Sequence, residues 1–270
     1  MMKGLKNAEK AMVAAATAAA LALTGCGRNQ ANSITVAGST AFQPFAEKLA
    51  DQFMARRPDV RITVQGGGSA LGIQTALSGA AQIGMADLVK LPPEAAGLES
   101  ITVARDGIAV IVNQGNAVSN LATDQVRAVF NGTVANWRNV GGDDRGIRVV
   151  SREAGSGTRS SFEDILGGFR LANDAIVQDS NGTIRETVAN DRDAVGYLSH
   201  GLLTERVKPV SLDGVECKEE EIVAGWYKLV RPVFLLTKGA PSGAAKDFID
   251  FVLSPEGQET IRRNGLLPAR

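Results

Sequence analysis

The residues best suited to chemistry lie at 151–159, in the segment Ser-Arg-Glu-Ala-Gly-Ser-Gly-Thr-Arg. The segment follows an apolar, strand-like run. It precedes a stretch whose apolar residues recur at helical spacing, so its glycines fall in a loop between a strand and a helix. Such a loop presents free backbone N–H groups and the positive end of a helix dipole. Hydroxyls of Ser156 and Thr158 and guanidinium groups of Arg152 and Arg159 add donors that suit a tetrahedral oxyanion. The segment predicts half of an anion-binding cleft, although taken alone it fits a capped helix after a glycine turn equally well.

Two earlier stretches repeat this order of strand, glycine–hydroxyl loop and helix. Gly38-Ser39-Thr40 stands between an apolar strand at 34–37 and a helix expected at about 41–56. Gly66-Gly67-Gly68-Ser69 stands between an alternating strand and a short helix expected at 70–78. Three glycines in a row exceed what a turn needs unless the backbone approaches something closely, because glycine has no Cβ. The three units together indicate loops that converge on one small anion.

An acidic residue, Asp87, ends the buried strand predicted at 82–86. A side chain at the carboxyl end of a parallel strand points into the crevice where α/β sheets bind ligands. The alternative is that Asp87 caps the turn before Pro92 and Pro93. The residues alone leave both interpretations open.

The composition is that of a soluble chain large enough for two domains, with 270 residues, 44% hydrophobic, 21% charged and a formal net charge of zero. No basic stripe, aromatic platform or zinc-ligand spacing indicates nucleic-acid or metal binding. Gly67 to Gly72 is followed by Ile73-Gln74, which excludes a Walker A loop, and Ser69 lacks the second glycine of a nucleophile elbow. The only histidine, His200, is not tied to any serine. The sequence predicts a binding protein without a cofactor rather than an enzyme, with a phosphatase-like hydrolase as the remaining enzymatic alternative.

The N-terminus predicts export. Three lysines precede an alanine-rich apolar core at 11–24, which is shorter than the roughly 20 residues of a membrane span. We expect residues 1–25 to be a lipoprotein signal peptide, because Leu-Thr-Gly before Cys26 resembles a lipobox; a plain signal peptide is the alternative. Residues 26–33 would then be a tether. Cys217, the only other cysteine, is expected to be an unreactive thiol.

Six motifs spread from about Ile34 to Pro268 carry a resemblance to a known family. They are Ala-Gly-Ser-Thr at 37–40, Gln-Gly-Gly-Gly-Ser at 65–69, Asp-Gly-Ile-Ala-Val-Ile-Val-Asn at 106–113, Asn136-Trp137, the segment at 151–159, and Phe-Ile-Asp-Phe-Val-Leu-Ser-Pro-Glu-Gly-Gln at 248–258. Together, and in this order, they resemble the phosphate-binding proteins of bacterial phosphate ABC importers.

The resemblance implies an α/β fold of the periplasmic-binding-protein type II class, with two lobes, each a central mixed sheet flanked by helices, and two hinge crossovers. We expect residues 34–112 and 205–270 to form lobe I and residues 113–204 to form lobe II. The implied protein is a lipid-anchored monomer that closes on inorganic phosphate outside the cytoplasmic membrane and delivers it to ABC permease subunits. The alternatives are a sensing or regulatory module with the same clamp, or another oxyanion, such as sulfate or molybdate, as ligand.

By position, the family's phosphate contacts fall on eight residues, with Gly68 and Arg159 as weaker candidates. The eight are Ser39, Thr40, Ser69, Asp87, Arg152, Ser156, Gly157 and Thr158. Some members orient the arginine with an acidic residue two positions later; here that position is Ala154, and the neighbouring Glu153 is the candidate substitute. Many shorter members carry Ser-Arg where this chain has Asp87-Leu88, so the role of Asp87 follows the other branch of the family.

A carboxylate in an anion site also has a physical rationale. Serine, threonine, arginine and backbone N–H groups donate hydrogen bonds, whereas a carboxylate only accepts them. Asp87 would accept the proton that phosphate carries at neutral pH and would disfavour sulfate, which carries none. Asp87 is therefore the residue expected to distinguish the two anions.

Overall fold

The computed structural model describes residues 32–269, so the predicted signal peptide, Cys26 and most of the tether lie outside the described residues. Strands and helices alternate over much of this part of the chain, as the sequence pattern predicted. The strands are β1 Ser33–Gly38, β2 Arg61–Gly66, β3 Ile83–Ala86, β4 Glu99–Asn113, β5 Asn120–Leu121, β6 Arg148–Arg152, β7 Ile176–Gln178, β8 Ala194–Ser199, β9 Val207–Leu212, β10 Val230–Thr237 and β11 Leu267–Pro268. The α-helices are α1 Gln43–Arg56, α2 Ser69–Ser78, α3 Thr123–Phe130, α4 Gly157–Ile165, α5 Asn181–Ala189, α6 Glu219–Val223, α7 Gly243–Leu253 and α8 Pro255–Arg263.

A continuous mixed sheet runs in the order β2-β1-β3-β10-β4-β8-β6-β7. Its 15-residue strand β4 belongs to both ends, because residues 99–107 pair with β10 and residues 108–113 pair with β8 and β9. We call β1, β2, β3 and β10 with residues 99–107 sheet A, and β6, β7, β8 and β9 with residues 108–113 sheet B. Strand β4 therefore links the two sheet regions covalently.

Parallel strands bring the loops of each region to one edge. Strands β1 and β3 run parallel in sheet A, and β6 runs parallel to both β7 and β8 in sheet B. Helix α4 follows β6, and α5 follows β7. Because the carboxyl ends of parallel strands lie at the same edge, the loops that follow them collect there.

Each sheet region packs against its own apolar core. The sheet A core includes phenylalanines of α1 and α7, among them Phe45, Phe53 and Phe248. The sheet B core contains Phe162 stacked on Tyr197, with ring centroids 4.1 Å apart. Aromatic pairs of this kind stabilise a core beyond their buried area, by about 0.5–1.5 kcal/mol.

The segment between β9 and β10 packs with sheet B. Strand β9 pairs with residues 110–113 of β4, and Cys217, Tyr227 and Leu229 belong to the sheet B core. The division into lobe I, 34–112 with 205–270, and lobe II, 113–204, stays a prediction.

Cys217 is 5% exposed, and burial raises the pKa of its thiol, as expected for an unreactive cysteine. Among the helices of the described part, none has the length and apolar character needed to cross a bilayer.

The two tyrosines of the chain provide a test of this packing. Burial raises the pKa of Tyr197 to about 12 and raises that of Tyr227 well above its ordinary value. A phenol whose pKa is higher in the folded protein favours folding below its unfolded pKa of about 10, and this contribution is lost as the pH rises through the folded value. We expect no tyrosinate absorbance from the folded protein at about pH 10–11, whereas the protein unfolded in guanidinium titrates near 10. Ionisation near pH 10 with an unchanged circular dichroism spectrum would contradict the burial.

Candidate anion-binding site

Predicted residues from the two sheet regions meet at the carboxylate of Asp87, directly after β3. Ser69 Oγ, at the start of α2, donates to Asp87 Oδ1 at 2.7 Å and accepts from the Asp87 backbone N–H at 3.1 Å. Thr158 Oγ1, at the start of α4 beside sheet B, donates to Asp87 Oδ2 at 3.3 Å. All three residues are at most 2% exposed. The structure thus brings together three residues that the sequence placed on separate loops.

Glycines permit the two regions to come this close. A Cβ built on Gly157 would lie 2.1 Å from Ser69 Oγ and 2.6 Å from the Asp87 carbonyl oxygen. A Cβ on Gly68, where φ is +89°, would lie 2.8 Å from the carbonyl oxygen of Gly155. That carbonyl accepts the N–H of residue 70, at 3.1 Å. The glycine loops of α2 and α4 are therefore in direct backbone contact.

Arg152, the last residue of β6, is a buried cation among the predicted site residues. It is 1% exposed, and its Nε and Nη2 donate to the two carboxylate oxygens of Glu153 at 2.9 and 2.8 Å. Nη2 also donates to the carbonyl oxygen of Asp179 at 3.1 Å. Glu153 thus orients the guanidinium, the role that an acidic residue would have at the position of Ala154.

The third nitrogen of the same group, Arg152 Nη1, has no hydrogen-bond partner. Within residues 32–269 it is the one buried side-chain nitrogen or oxygen in this condition. A buried polar group without a partner costs about 1–3 kcal/mol, and more when it is charged. Nη1 carries two N–H groups, so the guanidinium has unused donors that fit an anion with several acceptor oxygens.

The remaining predicted residues are held by local contacts. Ser39 Oγ accepts from the backbone N–H groups two and three residues later, both at 3.1 Å, and Ser156 Oγ accepts from the Arg159 N–H at the start of α4. These caps fix the hydroxyl oxygens, while the hydroxyl protons can still be donated. Arg159 Nε donates to Glu163 at 2.7 Å and its Nη1 to the Arg152 carbonyl at 2.9 Å, so its contacts support the loop.

Two further residues link the sheet regions, and of these Ser161 was not predicted. Ser161 Oγ donates to the Asp87 carbonyl at 3.2 Å and accepts from the Val89 N–H at 3.1 Å. Asn181 Nδ2, at the start of α5, donates to Thr40 Oγ1 at 3.2 Å. Ser161 lies three residues after Thr158 and hence on the same face of α4, a helical spacing that could have revealed it.

A buried ion pair behind Asp87 was also missed. Arg231 Nη2 lies 2.6 Å from Asp87 Oδ2 and 2.8 Å from Asp106 Oδ2, and all three side chains are at most 2% exposed. An arginine near the start of the apolar strand β10 could have indicated this ion pair. Charged residues are almost never fully buried unless they are paired, so an arginine in a buried strand implies a buried carboxylate nearby.

The only histidine contacts backbone rather than a serine hydroxyl. His200 Nδ1 lies 3.0 Å from the carbonyl oxygen of Gly265. In the described part of the chain, no group of three or more His, Cys, Asp or Glu side chains has a metal-binding arrangement. The predicted residues thus bring together hydrogen-bond donors, the Asp87 carboxylate and the Arg152–Glu153 ion pair, whose Nη1 is free.

Comparison with known proteins identifies relatives over most of the chain. Residues 15–256 match the sequence model of the PBP superfamily domain. The phosphate-binding protein PstS of Bacillus subtilis is 35% identical over 234 residues, which cover 85% of this chain and 78% of that protein. A solved structure from Clostridium perfringens, of a candidate phosphate ABC transporter substrate-binding protein with bound phosphate, is 37% identical in sequence. Its TM-score is 0.86, and the match covers 88% of this chain and 100% of that chain. An ABC-type phosphate transport receptor from Vibrio cholerae is 34% identical with a TM-score of 0.74, over 87% and 99% of the two chains. The expected two-lobed type II fold is thereby confirmed.

The close approach at Gly157 predicts a specific effect of substitution. In Gly157→Ala the added methyl group would overlap Ser69 and Asp87, and overpacking of this kind costs about 1–3 kcal/mol. We expect the two sheet regions to separate and the radius of gyration in small-angle X-ray scattering to increase. The control is Gly182→Ala, also in the first turn of a helix, where the nearest atom would be Ser180 Oγ at 3.7 Å. Equal radii for both variants and the parent protein would contradict the proposed close contact.

Proposed function

The chain belongs to the PstS family of phosphate-binding proteins, and we propose that it binds inorganic phosphate outside the cytoplasmic membrane and delivers it to the permease of an ABC importer. The observation that carries the proposal is the unpartnered, buried Nη1 of Arg152 beside loops rich in hydroxyl groups. A phosphate oxygen would supply the missing acceptor. The protein then acts by binding and release, and the proposal includes no catalytic step.

We assign the phosphate contacts to the eight residues named from the sequence. Those on the sheet A side are Ser39, Thr40, Ser69 and Asp87, and those on the sheet B side are Arg152, Ser156, Gly157 and Thr158. The direct hydrogen bonds from Ser69 and Thr158 to one carboxylate support a shared site. Helices α2 and α4 would add the positive ends of their dipoles. Gly68 and Arg159 remain weaker candidates, with loop support as the role that their contacts favour.

Closure follows from the placement of donors on both sides. A ligand that bridges both sheet regions stabilises the arrangement in which they touch, and it shifts the population toward that arrangement. We propose that the predicted lobes, residues 34–112 with 205–270 and residues 113–204, close on the ligand about the two chain crossovers between them. The closed form would dock on the permease, whose ATPase partner supplies the energy.

The proposed cellular arrangement depends on the N-terminus. Acylation of Cys26 would anchor the exported chain to the outer face of the membrane, and more than one acyl chain makes such anchoring stable. The short polar tether up to residue 33 would hold the folded part near the permease as a monomer. The support for this arrangement is the sequence motif alone. Cys26 itself lies outside the described residues.

Titration calorimetry tests the ligand and the role of Arg152 together. We expect the purified protein to bind one phosphate, and Arg152→Gln to weaken binding 30-fold or more, because loss of one partner from a buried charged hydrogen bond costs about 2–5 kcal/mol. Arg145→Gln is the control, because that arginine forms an exposed pair with Asp193. A parent protein that binds sulfate or molybdate but not phosphate would overturn the assigned ligand.

A second substitution tests the acceptor. Asp87→Asn introduces an amide that can donate to any oxyanion, so we expect the preference for phosphate over sulfate to fall by roughly tenfold or more. Arg231 keeps Asp106 as a partner in this variant, which limits the cost to folding. Calorimetric selectivity equal to that of the parent protein would remove Asp87 from the site.

A further inference from the structure

The side chain of Asn181 bridges the two sheet regions. Asn181 is the first residue of α5 and is 1% exposed. Its Nδ2 donates to Thr40 Oγ1 at 3.2 Å, and its Oδ1 accepts from the backbone N–H of Ser199 at 3.0 Å. Thr40 lies on the sheet A side, 141 residues away in the chain, and Ser199 ends β8. Both ends of the amide are therefore bound by groups outside the helix that carries it.

Helix α5 does not need this side chain for its own start. Ser180 precedes the helix, and its Oγ accepts from the Thr183 N–H at 3.1 Å. Thr183 Oγ1 in turn accepts from the Ser180 N–H at 3.1 Å, which completes a capping box. An asparagine at a helix start usually serves as the cap. Here Ser180 has that role, so the amide of Asn181 is free to act across the molecule.

The contact with Ser199 fixes which end of the amide faces Thr40. A backbone N–H can only donate, so its partner must be the amide oxygen and not the nitrogen. Ser199 itself is held firmly, since it is 0% exposed and its Oγ donates to Asp106 at 2.8 Å. Nδ2 of Asn181 then points at Thr40 Oγ1, and an amide nitrogen only donates. The Thr40 oxygen must therefore accept, which leaves its one proton to be donated elsewhere.

The backbone around Thr40 is fixed by sheet A, but its hydroxyl is not. The N–H of the preceding residue, Ser39, donates to the carbonyl oxygen of Met85 in β3 at 3.0 Å. This bond holds the loop beside the end of β3, which Asp87 follows. Among the described residues, the partner of the Thr40 hydroxyl is Asn181. The direction of the Thr40 hydroxyl is thus set from the sheet B side.

We propose that Asn181 is a positioning residue for the ligand, which fixes the Thr40 hydroxyl as a hydrogen-bond donor to the bound anion. The inference rests on the proposed function, in which Thr40 contacts phosphate. With Asn181 in place, Thr40 Oγ1 accepts from Nδ2 and directs its proton to a phosphate oxygen. Because Asn181 lies on the sheet B side, this orientation exists only when the two regions touch. Ligand binding and closure therefore favour each other through this contact.

A double-mutant cycle, measured by titration calorimetry with inorganic phosphate, tests this role. Asn181→Ala is compared in three backgrounds: the parent chain, Thr40→Ser, which keeps the hydroxyl, and Thr40→Val, which removes it. We expect Asn181→Ala to weaken phosphate binding roughly threefold to tenfold in the first two backgrounds, the usual range for one neutral hydrogen bond. In the Thr40→Val background we expect a further change of about twofold at most, because no hydroxyl is left to orient.

The cycle separates positioning from general support of the fold. Asn181→Ala also leaves the Ser199 N–H without its acceptor, and a purely structural loss of this kind would weaken binding equally in all three backgrounds. The control is Asn190→Ala, just after the other end of α5, where Nδ2 donates to the carbonyl oxygen of Glu186 in the same helix at 2.7 Å. This variant should leave the phosphate affinity unchanged.

A second substitution keeps the test available if Asn181→Ala does not fold, as judged by circular dichroism. In Asn181→Asp one carboxylate oxygen can still accept from Ser199, but the other cannot donate to Thr40. The added negative charge repels phosphate in every background, whereas the loss of an oriented donor is confined to backgrounds that keep the hydroxyl. The loss of affinity should therefore be larger, by roughly threefold or more, in the parent and Thr40→Ser backgrounds than in Thr40→Val.

The outcomes separate this inference from the function on which it rests. Equal changes on substitution of Asn181 in the Thr40→Ser and Thr40→Val backgrounds would overturn the positioning role, and so would an equal loss in Asn190→Ala. A phosphate affinity that Thr40→Val leaves unaltered would remove Thr40 from the contacts and the inference with it. A parent protein that fails to bind phosphate would instead overturn the proposed function.

Discussion

The buried carboxylate of Asp87 is the group on which the rest of the site depends. One of its oxygens accepts from Ser69 on the sheet A side and the other from Thr158 on the sheet B side, while Arg231 lies 2.6 Å away. A charge this deep in a protein is tolerated only when it is paired and hydrogen-bonded. Asp87 therefore fixes hydroxyls from both regions of the molecule, and it needs Arg231 to balance its own charge. These hydrogen bonds connect the edge of sheet A to the start of α4.

The proposed site would bind an anion with few unpaired charges. Arg152 is paired with Glu153 and Asp87 with Arg231, so the proposed ligand contacts include the free Nη1 of Arg152, backbone N–H groups and helix N-termini. This agrees with a chain whose formal net charge is zero, because local dipoles in a water-poor site act more strongly than a diffuse surface charge. The two sheet regions are also in close contact here. Gly157 lets α4 approach Ser69, and the Ser161 hydroxyl bonds the carbonyl of Asp87 and the N–H of Val89.

Much of the fold could be predicted because the signals are local. The strand expected at 82–86 is observed as Ile83–Ala86, and the helix expected at about 41–56 as Gln43–Arg56. Strand β4 runs from residue 99 to residue 113, but only residues 108–112 form a continuous apolar run, because charged residues at 105 and 106 interrupt the pattern before it. The family resemblance assigned the site residues, and the three glycine–hydroxyl loops supported that assignment independently. Whether Glu153 could replace an acidic residue at position 154 depended on side-chain geometry that neighbouring positions in a sequence do not reveal.

By itself, the sequence determined where strands end in glycine and hydroxyl loops and which loops carry donors, since apolar period and glycine content act over a few residues. Only the tertiary structure decided that Arg231 lies between Asp87 and Asp106. Those contacts span 144 and 125 residues of chain and exist because β10 pairs with both β3 and β4. Pairing between distant strands leaves no local pattern in the sequence, and a buried charge shows its purpose only when its partners are known.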